Sequence, residues 1–182
     1  MNAPSSPDAL LLCLDMQPVF VRAIAECAAV QHRCAFALAA ARGLDLPIIF
    51  TEQVPAKLGG TAPDLLSLAH DSTICAKDTF SAYDVIEPVL RTHARQNLLI
   101  CGIETPVCVY QTALDALHHG HTVTVLRDAV GGRRPADGQA CLDALARAGA
   151  KILPAETVFY ALIGSVAHPF FKPYTQLVKS HG

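Results

Sequence analysis

Three side chains that could do chemistry together each lie at or just after the end of a short apolar run. Asp15 ends LLLCLD, Lys77 ends TICAK, and Cys108 follows LLICGI. A thiol can attack a carbonyl carbon while a carboxylate accepts and returns its proton, and an ammonium can hold both groups in place. Each residue also has an ordinary interpretation: a buried structural cysteine, a salt-bridged or helix-capping aspartate, and a surface lysine. Their shared position after apolar runs favours the chemical interpretation.

The residues around Cys108 predict the start of a helix. Thr105 before Pro106 is typical of an N-cap followed by the first helical residue, which places Cys108 in the first turn. Free N–H groups and the helix dipole lower a thiol pKa there, and so would the ammonium of Lys77. The sequence therefore predicts an activated thiolate at Cys108. The same turn is expected to stabilise a developing oxyanion through its backbone. The residues of that turn are Ile103, Glu104, Thr105 and Val107.

Short Leu-, Ile- and Val-rich segments alternate with longer Ala- and Leu-rich segments along the chain. The short segments predict strands buried on both faces: 9–15, 47–51, 73–77, 97–103, 122–127 and 151–153. The longer segments predict helices: about 19–42, 82–95, 106–119 and 135–148, and a C-terminal helix from 157 onward. Such alternation is typical of βαβ units with helices on both faces. The predicted fold class is α/β, a Rossmann-like three-layer α/β/α arrangement with a central, mostly parallel six-stranded sheet.

The glycine positions and the chain ends add detail to this organisation. Gly43, Gly120 and Gly149 each follow a predicted helix, where a left-handed capping residue is expected. Two connections, 52–63 and 129–135, are longer than usual. We expect a single domain over 1–182, with a polar N-terminal tail at 1–8 and a C-terminal arm at 166–182.

In an open parallel sheet, ligands bind beyond the carboxyl ends of the strands. A small-molecule substrate should therefore bind beside Asp15, Lys77 and Cys108. Polar and aromatic residues that follow the strand ends are the expected pocket wall: Gln17, Phe20, Glu52, Gln53, Phe80 and Tyr83.

Composition narrows the class of protein. Hydrophobic residues make up 52% of the 182 residues and charged residues only 16%, below the usual share of about 25%. Such a deficit favours a homo-oligomer, a dimer or higher, that hides part of its surface. The net charge of −2 and the absence of a basic run argue against nucleic-acid binding. No apolar stretch is long enough to span a membrane, and the polar start does not resemble a secretory signal.

The number and placement of the cysteines indicate in which cellular compartment the protein works. There are seven of them, mostly inside apolar runs and without metal-type spacing. Reduced thiols in a cytoplasmic protein fit this pattern, and we expect neither a metal nor another cofactor.

Three longer segments resemble a known family. LLLCLDMQPVF (Leu10–Phe20), AKDTFSAY (Ala76–Tyr83) and LLICGIETPVCVYQTALDALHHGHTVTVLRDAVGGR (Leu98–Arg133) are similar to the isochorismatase-like cysteine hydrolases. The segments TEQ, LLICGIE and AHPFFKPYTQLVK resemble the branch of isochorismatase domain-containing proteins with no settled substrate. The resemblance implies that the family's catalytic Asp, Lys and Cys fall on Asp15, Lys77 and Cys108. It also implies a cis peptide bond at Ile103–Glu104.

The chain departs from some relatives in ways that bear on its substrate. Nicotinamidases of this family bind a metal near the second strand, but the stretch TEQVPAKLGG here contains no His or Asp. Pro106 stands where many relatives have an acidic or amide residue. Because Cys108 is kept, cleavage of an amide-like C–N bond is favoured. Two alternatives remain: a non-catalytic oligomeric binding or scaffold protein with a vestigial triad, and a redox-sensing thiol at Cys108. Cys101 and Cys75 are candidate partners for that thiol.

Overall fold

A computed structural model describes residues 7–181, and within them six strands form one sheet. The strands are β1 (Ala9–Leu14), β2 (Ile48–Gln53), β3 (Thr73–Lys77), β4 (Asn97–Ile103), β5 (Thr122–Gly131) and β6 (Lys151–Leu153). Their order across the sheet is β3-β2-β1-β4-β5-β6, and each neighbouring pair is parallel. The predicted three-layer α/β/α fold is confirmed, and this sheet is parallel throughout.

Helices cover both faces of the sheet. They are α1 (Pro18–Val21), α2 (Cys27–Gly43), α3 (Pro55–Leu58), α4 (Pro63–Leu66), α5 (Tyr83–His93), α6 (Tyr110–His118), α7 (Pro135–Arg147), α8 (Ala155–Ile163) and α9 (Phe171–His181). α2 and α8 pack on one face, with α9 against α2, and α5, α6 and α7 pack on the other. β1 shows why both faces are apolar. Leu10, Leu12 and Leu14 enter one core cluster while Leu11 and Cys13 enter the other, and all five are fully buried.

The strand order places a crevice between β1 and β4. From β1 the chain moves outward to β2 and β3, then crosses back so that β4 lies on the other side of β1. The loops that leave β1 and β4 therefore diverge to opposite sides, and ligands bind in this kind of opening in open α/β sheets.

The helix predicted over 19–42 is interrupted. α1 ends at Val21 and α2 begins at Cys27, after Glu26 in a left-handed conformation with φ of 54°. Within the interruption, the backbone N–H of Ala25 donates to the carbonyl of Gly132 over 3.2 Å. This hydrogen bond connects the interruption between α1 and α2 to the loop after β5.

Of the three glycines predicted to cap helices, two do so, and the prediction for Gly43 is wrong. Gly120 and Gly149 have positive φ beyond the ends of α6 and α7, as expected. Gly43 instead lies inside α2, where a β-carbon would meet the ring of Phe170 at 1.9 Å. This glycine therefore allows the C-terminal arm to pack closely on α2.

Other boundaries differ from the prediction by a few residues. β5 continues to Gly131 rather than ending at Arg127, and its pairing with β4 is irregular between Ile100 and Gly102. The long connection after β2 contains α3 and reaches the start of α4. Of the predicted tail 1–8, residues 1–6 lie outside the described part of the chain. Within residues 7–181, no helix has the length and apolar character needed to cross a bilayer.

Candidate active site

Asp15, Lys77 and Cys108 meet at the carboxyl edge of the sheet. Asp15 follows β1 directly, Lys77 is the last residue of β3, and Cys108 lies in the turn after β4. The loops that leave β1 and β4 border the crevice, and the long side chain of Lys77 reaches towards it. The structure therefore brings together the three residues that the sequence singled out.

Asp15 and Lys77 form a buried ion pair. Oδ2 of Asp15 lies 2.8 Å from Nζ of Lys77, and the side chains are 3% and 0% exposed. The other carboxylate oxygen accepts a hydrogen bond of 2.7 Å from the hydroxyl of Thr51. Asp15 has a φ of 52°, which turns the chain sharply as it leaves β1. Both carboxylate oxygens thus have a partner and a fixed direction.

Lys77 is held by further oxygens on its own side of the site. Nζ donates to Oε1 of Gln53 over 2.5 Å, and to the backbone carbonyls of Thr79 and Phe80 over 3.2 and 3.3 Å. An ammonium so surrounded by acceptors is fixed in position. It is not the flexible surface lysine of the ordinary interpretation.

The sulfur of Cys108 lies beside this pair, 3.6 Å from Nζ of Lys77. The predicted lowering of its pKa is wrong. Burial and the negative charge of Asp15 outweigh the ammonium of Lys77 and raise the pKa of the Cys108 thiol to about 12. The thiol therefore holds its proton at neutral pH, beside a carboxylate that can accept it.

The turn that carries Cys108 differs from the predicted helix start. Glu104, not Thr105, is the N-cap, and residues Thr105–Val109 form a π-helical turn that continues into α6. The Ile103–Glu104 peptide bond is cis, as the family resemblance implied. The N–H groups of Val107 and Val109 both donate to the carbonyl of Glu104, over 3.0 and 3.2 Å. Val107 was expected to offer its N–H to an oxyanion, but that group is already engaged.

Cys108 opens onto a cavity of about 420 Å³, a size typical of small-molecule sites. Phe20, Gln53 and Phe80, three of the six residues expected in the wall, line it. Ile103, Glu104 and Val107 of the turn line it as well, whereas Thr105 is buried behind the turn.

The other three expected wall residues lie outside the cavity lining. Gln17 is fully buried and ties two segments together, because its amide bonds the backbone of Gln53 and the carbonyl of Gly59. Glu52 accepts a hydrogen bond of 2.7 Å from the backbone of Thr61. Tyr83 stacks on His119, with ring centroids 4.1 Å apart. All three stabilise the surrounding fold.

Sequence reasoning missed one side of the wall. Val19, Ala23 and Ile24 come from α1 and the interruption after it, and Arg133 comes from the loop after β5. Nε of Arg133 lies 3.0 and 3.1 Å from the two carboxylate oxygens of Glu104. The adjacent pair Arg133 and Arg134 was visible in the sequence, but only the folded loop brings Arg133 to the cavity.

Three other cysteines form a separate cluster in the core. Cys13 and Cys101 are register partners on β1 and β4, and Cys34 of α2 donates to the carbonyl of Ala129 over 3.2 Å. Hydrogen bonds with Cys13 and Cys34, together with burial, raise the pKa of Cys101 well above its ordinary value. Cys101 therefore contacts the free thiols of Cys13 and Cys34 in the core. Across residues 7–181, no cluster of three or more His, Cys, Asp or Glu side chains has the arrangement needed to hold a metal ion.

Known proteins resemble this chain in sequence and in fold. The family profile described as the isochorismatase domain matches residues 9–157. Mouse isochorismatase domain-containing protein 2A is 36% identical over 171 residues, which cover 93% of this chain and 82% of that protein. A solved structure of MAR1 ribonuclease from Caenorhabditis elegans matches with a TM-score of 0.90 at 33% identity, over 98% of this chain and 93% of that one.

A more distant structure shares the fold alone. The YcaC gene product of Escherichia coli, described as an octameric hydrolase of unknown specificity, matches with a TM-score of 0.77 at 20% identity. The match covers 100% of this chain and 98% of that one.

Proposed function

This chain belongs to the isochorismatase family, whose fold supports a hydrolase function, and we propose that it hydrolyses a small amide-like substrate through a thioester on Cys108. The observation that carries the proposal is the contact between Asp15, Lys77 and Cys108 at the base of a cavity. A carboxylate, an ammonium and a thiol so placed match the needs of acyl transfer by a cysteine.

In the first half of the reaction, the sulfur attacks the carbonyl carbon while its proton passes to Asp15. Because the thiol is protonated at neutral pH, proton transfer accompanies attack rather than preceding it. The carbonyl π electrons move to oxygen, and N–H groups of the 104–108 turn are the proposed donors to that oxyanion. Val107 would share the N–H that it now gives to Glu104. The C–N bond then breaks, and the amine leaves with the proton from Asp15.

In the second half, water hydrolyses the thioester. Asp15 takes a proton from the attacking water, the C–S bond breaks, and the proton passes from Asp15 to sulfur. Lys77 keeps the carboxylate oriented and offsets its charge in both halves. The sum is one amide and one water converted to one carboxylic acid and one amine.

The test is a panel of small amides incubated with the wild type, Cys108→Ala and Cys141→Ala. Cys141 is a partly exposed free cysteine on α7, so its variant controls for the loss of any thiol. We expect release of amine by the wild type and Cys141→Ala, and none by Cys108→Ala. Turnover that survives in Cys108→Ala would rule out the mechanism.

A second candidate function comes from the similarity to the MAR1 ribonuclease structure. The wild type, Asp15→Asn, Cys108→Ala and Cys141→Ala should therefore be incubated with single-stranded RNA. With a formal net charge of −2 and no basic run, we expect no cleavage that depends on Asp15 or Cys108. RNA cleavage lost in both Asp15→Asn and Cys108→Ala would replace the amide proposal.

The redox and scaffold alternatives have less support. Cys101 contacts the core thiols Cys13 and Cys34, and a low-pKa thiolate, which sensing cysteines need, is not what the surroundings of Cys108 favour. A vestigial triad would not require the buried Asp15–Lys77 pair to remain beside the sulfur. Absence of any turnover, with Cys108→Ala binding ligands like the wild type, would favour the scaffold.

We further propose that the protein is a single domain over 1–182, forms a homo-oligomer and works in the cytoplasm. The low charged fraction and the thiol-rich core support these proposals. Sedimentation analysis should give a mass of at least two chains, and thermal unfolding should show one cooperative transition.

A further inference from the structure

The cavity above Cys108 has an apolar wall. Its lining includes Val19, Phe20, Ala23, Ile24, Phe80 and Val107. Two of these side chains remain exposed, Val19 by 47% and Phe80 by 58%. The free energy falls when a ligand removes large apolar side chains from water. This wall therefore favours a ligand with an apolar surface.

The charged groups around the cavity already pair with one another. Asp15 lies against Lys77 at the base, and Glu104 lies against Arg133 at the rim. Two carboxylates and two cations thus offset each other, and the Cys108 sulfur is neutral as a thiol. A charged ligand would lose hydration on entry and find its potential counter-ion already bound to a protein group.

Resting on the proposed function, we infer that this site selects uncharged amides that carry an apolar group, and disfavours amides with a carboxylate or an ammonium group. The carbonyl lies at Cys108, and the apolar group lies between α1 and the segment after β3, against Phe20 and Phe80. The substrate class is therefore a small, neutral, apolar amide.

The experiment measures the rate at which reagents alkylate Cys108, which needs entry into the cavity but no hydrolysis. The reagents are iodoacetamide, its N-propyl and N-hexyl derivatives, iodoacetate and a trimethylammonium-ethyl iodoacetamide. Peptide mass spectrometry separates Cys108 from the partly exposed Cys141, and each rate is divided by that for free glutathione. We expect the Cys108 rate to rise about fourfold for each added methylene until the cavity is full. Both charged reagents should react at least tenfold more slowly than iodoacetamide.

Two variants and one control locate the selectivity. Phe80→Ser and Val19→Ser remove apolar groups from the rim of the cavity. Each should weaken the increase of the Cys108 alkylation rate with the length of the reagent's alkyl group. Val166→Ser removes a side chain that is 76% exposed and outside the cavity lining, and should leave the dependence unchanged. Cys141 should show no dependence on chain length in any of the proteins.

Flat Cys108 rates across the alkyl series, or charged reagents as fast as neutral ones, would overturn the inference whether or not amides are hydrolysed. Failure of every reagent to reach Cys108 in the folded protein, with labelling after denaturation, would overturn it as well. A strong apolar preference without amide turnover would support the inference and reject the proposed function. The two failures are thus distinguishable.

Discussion

The ammonium of Lys77 lies 3.6 Å from the sulfur of Cys108, yet the thiol keeps its proton. Burial is the main cause, and the negative charge of Asp15, which lies 2.8 Å from the same ammonium, raises the pKa more than Lys77 lowers it. Cys108 therefore has a pKa of about 12. The geometry therefore favours proton transfer to Asp15 during attack over a standing thiolate.

Removal of the Asp15 charge should separate thiol reactivity from turnover. In Asp15→Asn the thiol loses a group that raises its pKa but keeps Lys77, so iodoacetamide should label Cys108 at pH 8 about tenfold faster than in the wild type. Hydrolysis should fall by about 100-fold or more, because the proton acceptor is gone. Labelling of Cys141 is the internal control. A parallel fall in labelling and turnover would contradict this account of Asp15.

Stability at alkaline pH should depend on Cys108. Its folded-state pKa of about 12 exceeds that of a free thiol, about 8.5. At neutral pH both states hold the proton, so the thiol has no effect on the pH dependence. Above the free-thiol pKa the unfolded chain loses its proton first, and the free energy of unfolding falls as pH rises. Urea denaturation at pH 8 and pH 10.5 should show a larger loss for the wild type than for Cys108→Ser. Parallel losses would be inconsistent with the raised pKa.

Asp15 and Lys77 should be energetically coupled. Asp15→Asn leaves a buried ammonium without its counter-ion, and Lys77→Met leaves a buried carboxylate, so each should lower the free energy of unfolding by about 3–5 kcal/mol. The loss of unfolding free energy in the double variant should be smaller than the sum of the two single losses by about 1 kcal/mol or more.

The matched control is the exposed pair Arg134 and Asp137, whose side chains are 78% and 44% exposed. Arg134→Met should cost less than about 1 kcal/mol. Additive losses at Asp15 and Lys77 would mean that the two charges are not each other's main partner.

Gly102 and Gly149 form a natural comparison, because both have a φ of 108°. A β-carbon at Gly102 would meet the backbone carbonyl oxygen of Leu14 at 2.2 Å, whereas at Gly149 nothing lies within 4 Å. Gly149→Ala should lower the free energy of unfolding only through backbone strain, by about 1–3 kcal/mol. Gly102→Ala should cost at least about 2 kcal/mol more, because β1 and β4 must separate. Equal shifts of the urea midpoint would contradict this close approach beside the active site.

The rule that ligands bind beyond the carboxyl ends of parallel strands was enough to predict the meeting of Asp15, Lys77 and Cys108. It could not predict Ile24 or Arg133, because they reach the cavity through an interrupted helix and a loop that binds that interruption. Gln17 shows a second limit: an amide after a strand can face a ligand or bind backbone, and here it does the latter.

The pKa of Cys108 shows a third limit of sequence reasoning. The position at a helix start and the nearby lysine both predict a lowered value. Burial and the Asp15 charge act in the opposite direction, and their size depends on distances that only the folded chain defines.

The most direct test of the central claim is acid quenching during turnover of an amide, followed by mass spectrometry of the peptide that contains Cys108. The account predicts an acyl group on the sulfur of Cys108 in the wild type. Steady turnover in the wild type, with an acyl group on another residue and an unmodified Cys108, would contradict it.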